Sequence, residues 1–123
     1  MNATACKPLL LLPLVGLLTS CSRGWACANT EETRVTSPGG VWDAVAFTRD
    51  CGATTDYSSQ VALIRRSRSL PNRPGNVFVY GHHTDIRLKW LARDSLNITY
   101  SSANPVRHEH LVEGIAIVYG KLP

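Results

Sequence analysis

Ile86-Arg-Leu-Lys-Trp-Leu-Ala-Arg-Asp-Ser-Leu-Asn-Ile-Thr-Tyr100 reads as two half-buried β-strands joined by a short turn. Ile86, Leu88 and Trp90 alternate with Arg87, Lys89 and Leu91, and after the turn Leu96, Ile98 and Tyr100 alternate with Asn97 and Thr99. A period of two sends successive side chains to opposite faces, so one face is apolar and the other faces water. A helix would instead need apolar residues three and four apart, and no segment keeps that spacing over ten positions. This stretch therefore commits the chain to β structure.

Working outward, the same pattern recurs. Asn76 to Tyr80 alternates around Val77 and Val79, and the turn Leu70-Pro-Asn-Arg-Pro-Gly75 separates it from the β-branched run Gln60 to Arg66. Val41 to Phe47 follows the turn signal Pro38-Gly39-Gly40, with Trp42, Ala44 and Ala46 on one face and Val41, Val45 and Phe47 on the other. Thr33 to Ser37 begins the first strand, and Leu111 to Tyr119 closes the chain as two short strands about Gly114. Strands spaced in this way predict an all-β domain: a small antiparallel meander of about six to eight short strands, built as a sandwich, a barrel or a curled sheet.

Composition agrees. The 123 residues are 44% hydrophobic and 18% charged, which is too apolar for disorder and enough for one domain. No continuous apolar run reaches the length of about 18 residues that a membrane-spanning helix needs. Lys7 followed by the leucine-rich run Pro8 to Leu18 has the charge and length of a secretory leader. The run ends in Leu18-Thr19-Ser20-Cys21, which resembles the lipobox of bacterial lipoproteins. The resemblance implies that Cys21 receives a diacylglyceryl group, that residues 1–20 are removed as a signal peptide, and that the new amine is acylated, with palmitate among the expected chains. Several acyl chains would hold the protein on a membrane, facing the periplasm. Ser22 after the cysteine favours the outer membrane, by the sorting rule of enterobacterial lipoproteins. Residues 21–32 then read as a polar tether and residues 33–123 as the β domain.

Of the remaining cysteines, Cys6 leaves with the leader, and Cys27 and Cys51 form an even pair in an oxidising compartment. A bridge between them closes a loop of about 25 residues, for which chain entropy suggests about 3.5 kcal/mol. The alternative, a reactive thiol at Cys51, lacks a base, and Asp50 beside it would raise the thiol pKa.

The chain carries 13 Lys and Arg against 9 Asp and Glu. Arg65, Arg66, Arg68 and Arg73 make one basic segment, read either as a solvated hairpin end or as a surface for phosphate-bearing head groups or other envelope polyanions. No nucleic-acid-binding motif is present. The leading candidate surface is the loop Gly52 to Ser59, where a disulfide would present Thr54, Thr55, Asp56 and Tyr57. His82, His83, His108 and His110 invite metal or acid–base chemistry only if they converge, and no Gly-rich phosphate loop or nucleophile elbow accompanies them.

The stretches Ser37 to Trp42, Arg49-Asp-Cys-Gly-Ala-Thr-Thr55, Gln60 to Leu63, Gly75 to Phe78 and Leu88 to Leu91 resemble a small family of uncharacterised exported bacterial proteins. That resemblance implies no activity. The expectation is a non-enzymatic binding or structural module of the cell envelope. It needs no cofactor, meets the membrane through its anchor, and has an envelope protein or polyanion as its partner. A small envelope enzyme or metal-binding protein using the four histidines, and an inhibitor or immunity protein, are the alternatives.

Overall fold

The alternating pattern becomes nine strands in two sheets in the computed structural model, which describes residues 26–52, 55–101 and 104–123. β1 (Ala28–Thr36), β2 (Trp42–Asp50), β3 (Ser58–Arg65), β4 (Phe78–Tyr80) and β7 (Arg107–His108) lie side by side in that order, all antiparallel. β5 (Ile86–Ala92), β6 (Ser95–Tyr100), β9 (Ile115–Lys121) and β8 (Leu111–Val112) form the second sheet, also in spatial order. No helix occurs among the described residues, so the fold is all-β, and the sheets do not close into a barrel. The count exceeds the expected six to eight because of β7, which at two residues is too short to show a period.

One pair departs from a meander: β6 and β9 run parallel, with Leu96 opposite Ile117 and Ile98 opposite Tyr119. Parallel neighbours need a crossover. Here the chain leaves β6, pairs β7 with β4 at the edge of the first sheet, returns through β8, and reverses at Glu113-Gly114 into β9. Both turn residues have left-handed backbone (φ 53° and 77°), as a two-residue hairpin with matched twist requires.

The core lies between the sheets. Ala44, Ala46, Val61, Leu63 and Phe78 from the first sheet meet Leu96, Ile98, Tyr100, Ile115 and Ile117 from the second. Each fully buried Val, Leu, Ile or Phe contributes about 1.5–3 kcal/mol. β2 and β3 are buried on their other face as well, where Val45, Phe47 and Ala62 pack with Ile64 and Leu70. Leu70 belongs to the long β3–β4 connection, which therefore lies back over the outer face of the first sheet as a strap. Its hydrogen bonds are numerous. Asn29 Nδ2 donates to the carbonyls of Pro71 and Arg73, and Gln60 Oε1 accepts from the Gly75 amide at 2.8 Å. Asn76 pairs its side-chain amide with both backbone groups of Leu63, extending the β3 ladder by a side chain.

The domain begins earlier than the tether reading placed it. Residues 28–32 belong to β1, although they are polar, because backbone pairing with β2 is joined by side-chain bonds: Arg49 to Asn29 at 2.8 Å and Thr48 to Glu32 at 2.6 Å. A bulge between Glu31 and Thr33 twists this edge strand.

Cys27 and Cys51 are joined by a disulfide, with Cα atoms 4.0 Å apart. They stand one step beyond the Ala28–Asp50 pair, so the bridge clamps the open end of the β1–β2 hairpin. Cys27→Ser is expected to lower stability by about 2–4 kcal/mol and to speed amide exchange first at the start of β1. Denaturant melts of oxidised and reduced protein measure this, and two free thiols in protein purified without reductant would count against the bridge.

Candidate functional site

The two ends of the sandwich differ. At one end the disulfide, the start of β1 and the loop before β3 come together. At the other lie the β1–β2 turn, the start of the strap, and the β5–β6 and β8–β9 turns, and this end gathers the arginines.

The strap leaves β3 at Arg65 and turns sharply. Ser67 takes a left-handed conformation (φ 67°), unusual for a residue other than glycine. It is held there by Asp43, a residue that is 2% exposed. Asp43 accepts from the Ser67 amide at 3.1 Å, from Arg34 Nη1 at 2.7 Å and from Thr36 Oγ1 at 2.6 Å. Burial pushes the Asp43 carboxyl up, but the hydrogen bonds from Thr36, Arg34 and Ser67, with the Arg34 charge, outweigh it and hold the group below its usual range. Arg34 is also chelated by Glu31, at 2.8 and 3.0 Å. The Arg66–Ser69 corner is thus a fixed ridge.

A cleft lies on each side of this ridge. The larger, about 680 Å³, is lined by Trp42, Arg65, Arg68, Arg73 and Asn76, with Glu113 on one wall. Trp42 and Arg65 are cross-strand partners, and the Arg65 guanidinium carbon sits 4.5 Å from the ring centre. The smaller, about 600 Å³, is bordered by Arg66, Ser67 and Leu70 and by the Glu31–Arg34–Asp43 group. Arg68 and Ser69 line both. Arg66 lies against Gly40 and Arg93 against Gly39 in the β1–β2 turn. None of Arg65, Arg66, Arg68, Arg73 and Arg93 has an acidic partner within ion-pair distance among the described residues. Arg65, Arg66, Arg68 and Arg93 stand at this end, and Arg73 lines the same larger cleft from a part of the strap whose carbonyl is held by Asn29 towards the disulfide end. These solvent-exposed guanidinium groups make a surface that attracts anions, Arg being suited to bidentate contact with carboxylate and phosphate.

The other candidate surface spends its polar groups on itself. Gly52 N donates to Asp50 Oδ1, the Thr55 amide and hydroxyl both donate to the Gly52 carbonyl, and Asp56 binds His82 Nδ1 at 2.6 Å. Tyr57 is exposed, and Ser58 and Ser59 belong to β3 rather than to the loop. Cys21, the leader and Thr54 lie outside the described residues.

The four histidines are divided between contacts of different kinds. His82 pairs with Asp56, and His83 lies 3.8 Å from Asp85. His108 stacks on Tyr119, ring centres 3.6 Å apart, and His110 meets the edge of both rings. Burial, then the neighbouring His110, lowers the His108 pKa. Tyr119 donates to the Glu109 carbonyl at 2.7 Å, so this cluster joins the short β7 edge to the second sheet. Among the described residues no three His, Cys, Asp or Glu side chains are placed to hold a metal.

Arg65, Arg66, Arg68 and Arg73 are visible as a cluster in the sequence, whereas Trp42, Asp43 and Arg93 join them only through strand register and the meeting of turns. The pairing of Trp42 with Arg65 follows from a 23-residue separation that no local pattern encodes. No protein-family model, curated protein or solved structure matches the chain.

Proposed function

We propose that the protein is a lipid-anchored module of the bacterial cell envelope that works by binding rather than catalysis, holding an anionic partner at its arginine end. The observation that carries this is the set of five arginines without acidic partners among the described residues, lying beside a corner fixed by a buried carboxylate.

The fold adds an orientation. The arginine end is the far end of β1 from Cys27. Nine strand residues span about 30 Å, while the six-residue step from Cys21 to Cys27 reaches at most about 22 Å. An anchor at Cys21 would therefore reach the Cys27 end of the domain more readily than the arginine end.

Two measurements test the reading. Cys21→Ala is expected to abolish palmitate labelling and to move the protein to the soluble fraction; label still incorporated overturns the anchor. Pyrophosphate titrated onto the detergent-purified protein is expected to shift the side-chain Nε–H resonances of Arg65, Arg68 and Arg73 together. No shift overturns the anion-binding role.

A further inference from the structure

The crossover between β6 and β9 is held down by little. Val106 and Leu111 are 78% and 67% exposed, and Arg107 pairs with Glu109 at 3.7 Å with both side chains about half in water. No large apolar side chain fastens residues 106–111, and an exposed ion pair adds little. The main-chain attachments are the two-residue ladder of β7 with β4, the Val106 amide donating to the Val79 carbonyl, the Glu109 amide donating to the Val77 carbonyl, and the His110 carbonyl accepting from Ile117. His108 is the one residue of these six that is not exposed, and its ring stacks on Tyr119 with centres 3.6 Å apart.

The surroundings of that ring do not favour a second proton on it. Tyr119 faces it from β9, Tyr100 lies 6.3 Å away on β6, and uncharged Phe78 is its cross-strand partner on β4. Within the crossover, His110 stands nearly perpendicular at 4.9 Å, and Arg107 and Glu109 are occupied with each other. Neither His108 nor His110 has a carboxylate within ion-pair distance among the described residues, whereas His82 has Asp56 at 2.6 Å and His83 has Asp85 at 3.8 Å. Burial, with the neighbouring His110, holds the His108 pKa below its ordinary value, so the folded crossover favours the neutral ring. Burial, with Glu109 and Tyr100, pushes the Tyr119 phenol up, so its donation to the Glu109 carbonyl does not titrate in the same range.

We propose that His108 and His110 form an acid-sensitive clasp, whose protonation lifts the β7 edge off β4 and Tyr119. A proton on His108 places a cation in a half-buried aromatic site beside a second imidazole, and protons on both rings set like charges side by side. A ring whose folded pKa lies below the ordinary value of about 6.5 binds more protons once the segment is released. The clasp is therefore closed above about pH 6.5 and loosens as the pH falls through the lower folded value. Release uncovers the edge of the first sheet at Phe78 and Val79. Attraction of an imidazolium to the Tyr119 face works in the opposite direction, and the sign of the His108 shift shows which effect prevails. The clasp is independent of the anion-binding reading, and it acts at higher pH than the Asp43 carboxyl.

The test is a pH titration of the full-length protein by NMR. The His108 Cε1–H resonance is expected to titrate below pH 6.5 and to move upward in His110→Gln. Protection factors of the Val106 and Glu109 amides should fall about tenfold between roughly pH 7 and 5, while those of the β2 amides hold. His108→Phe keeps a stacked ring without a titrating proton and should abolish that fall, and His82→Gln should leave it intact. A His108 pKa at or above 6.5 means that stacking prevails and that acid tightens the crossover, which overturns the clasp. Unchanged protection in acid overturns it as well, as does a fall that persists in folded His108→Phe. Should His108→Phe not fold, the wild-type titration and exchange profile decide between these outcomes.

Discussion

Asp43→Ala is expected to cost about 3–5 kcal/mol, the range for removing one member of a buried charged pair. Three donors lose their acceptor together: Arg34 Nη1, the Thr36 hydroxyl and the Ser67 amide. Arg34 keeps Glu31 and is a quarter exposed, which moderates the loss, whereas the Ser67 amide has no other acceptor among the described residues. Asp43→Asn should fall between, because its oxygen still accepts from Thr36 while its NH2 group confronts donors. The pH dependence has a defined sign. A carboxyl whose folded pKa lies below its ordinary value binds more protons when unfolded, so its stabilisation is present above the ordinary carboxylate range. That contribution disappears as the pH falls from about 4 through the lower folded value. Urea melts from neutral pH into this acid range should show the decline in the wild type and a flatter profile in Asp43→Asn. A variant within 1 kcal/mol of wild type at neutral pH, with the same acid slope, would mean that Asp43 does not hold the ridge.

Gly75→Ala is expected to cost about 2–4 kcal/mol, for a different reason. A Cβ at this position would sit 2.4 Å from the Val61 carbonyl oxygen, 3.0 Å from its carbon and 3.1 Å from the Phe78 oxygen. All three are backbone atoms of paired strands, so no side-chain rotation relieves the clash. The Gly75 amide is also tied to buried Gln60, which prevents the strap from lifting without breaking that bond. Gly114→Ala provides the contrast. Its Cβ would meet nothing within 4 Å, so only the left-handed backbone opposes it, at about 1 kcal/mol. A Gly75→Ala melting midpoint as high as that of Gly114→Ala would show that the strap does not touch down there.

The parts of the fold legible in the sequence are those where burial follows a period. β5 and β6 keep one apolar face against the core, and the two faces assigned to Val41–Phe47 become the two sides of β2. The first half of β1 carries no such signal. Its residues are polar, and its place is set by a ladder and by Asn29, Glu32 and Arg49, contacts that exist only once β2 is beside it. The Cys27–Cys51 pair was legible by counting, since the expected loss of Cys6 and lipidation of Cys21 leave two cysteines. At the arginine end, the cluster from Arg65 to Arg73 shows in the sequence as density of charge. Its meaning depends on where the acids lie, and the sequence does not reveal that Asp43 is consumed internally or that Arg93 arrives from a distant turn. The histidine question had the same form: proximity in sequence joined His82 to His83 and His108 to His110, but their partners Asp56 and Tyr119 come from elsewhere in the fold.

The parallel pairing of β6 with β9 also governs the order in which the protein can assemble. The second sheet has β9 inside it, between β6 and β8, yet β9 is the last strand in the chain. Before it arrives, β5 and β6 are an isolated hairpin, which is marginal in water, and the apolar faces of Leu96 and Ile98 have no completed partner. A nascent chain can zip β1, β2 and β3 locally, but the interior closes only when β9 inserts. Such closure depends on contacts between distant parts of the chain, which places folding in the millisecond-to-second regime of β-sandwiches. Until then the chain exposes unpaired strand edges, and it is in this interval that aggregation or chaperone capture would compete with folding.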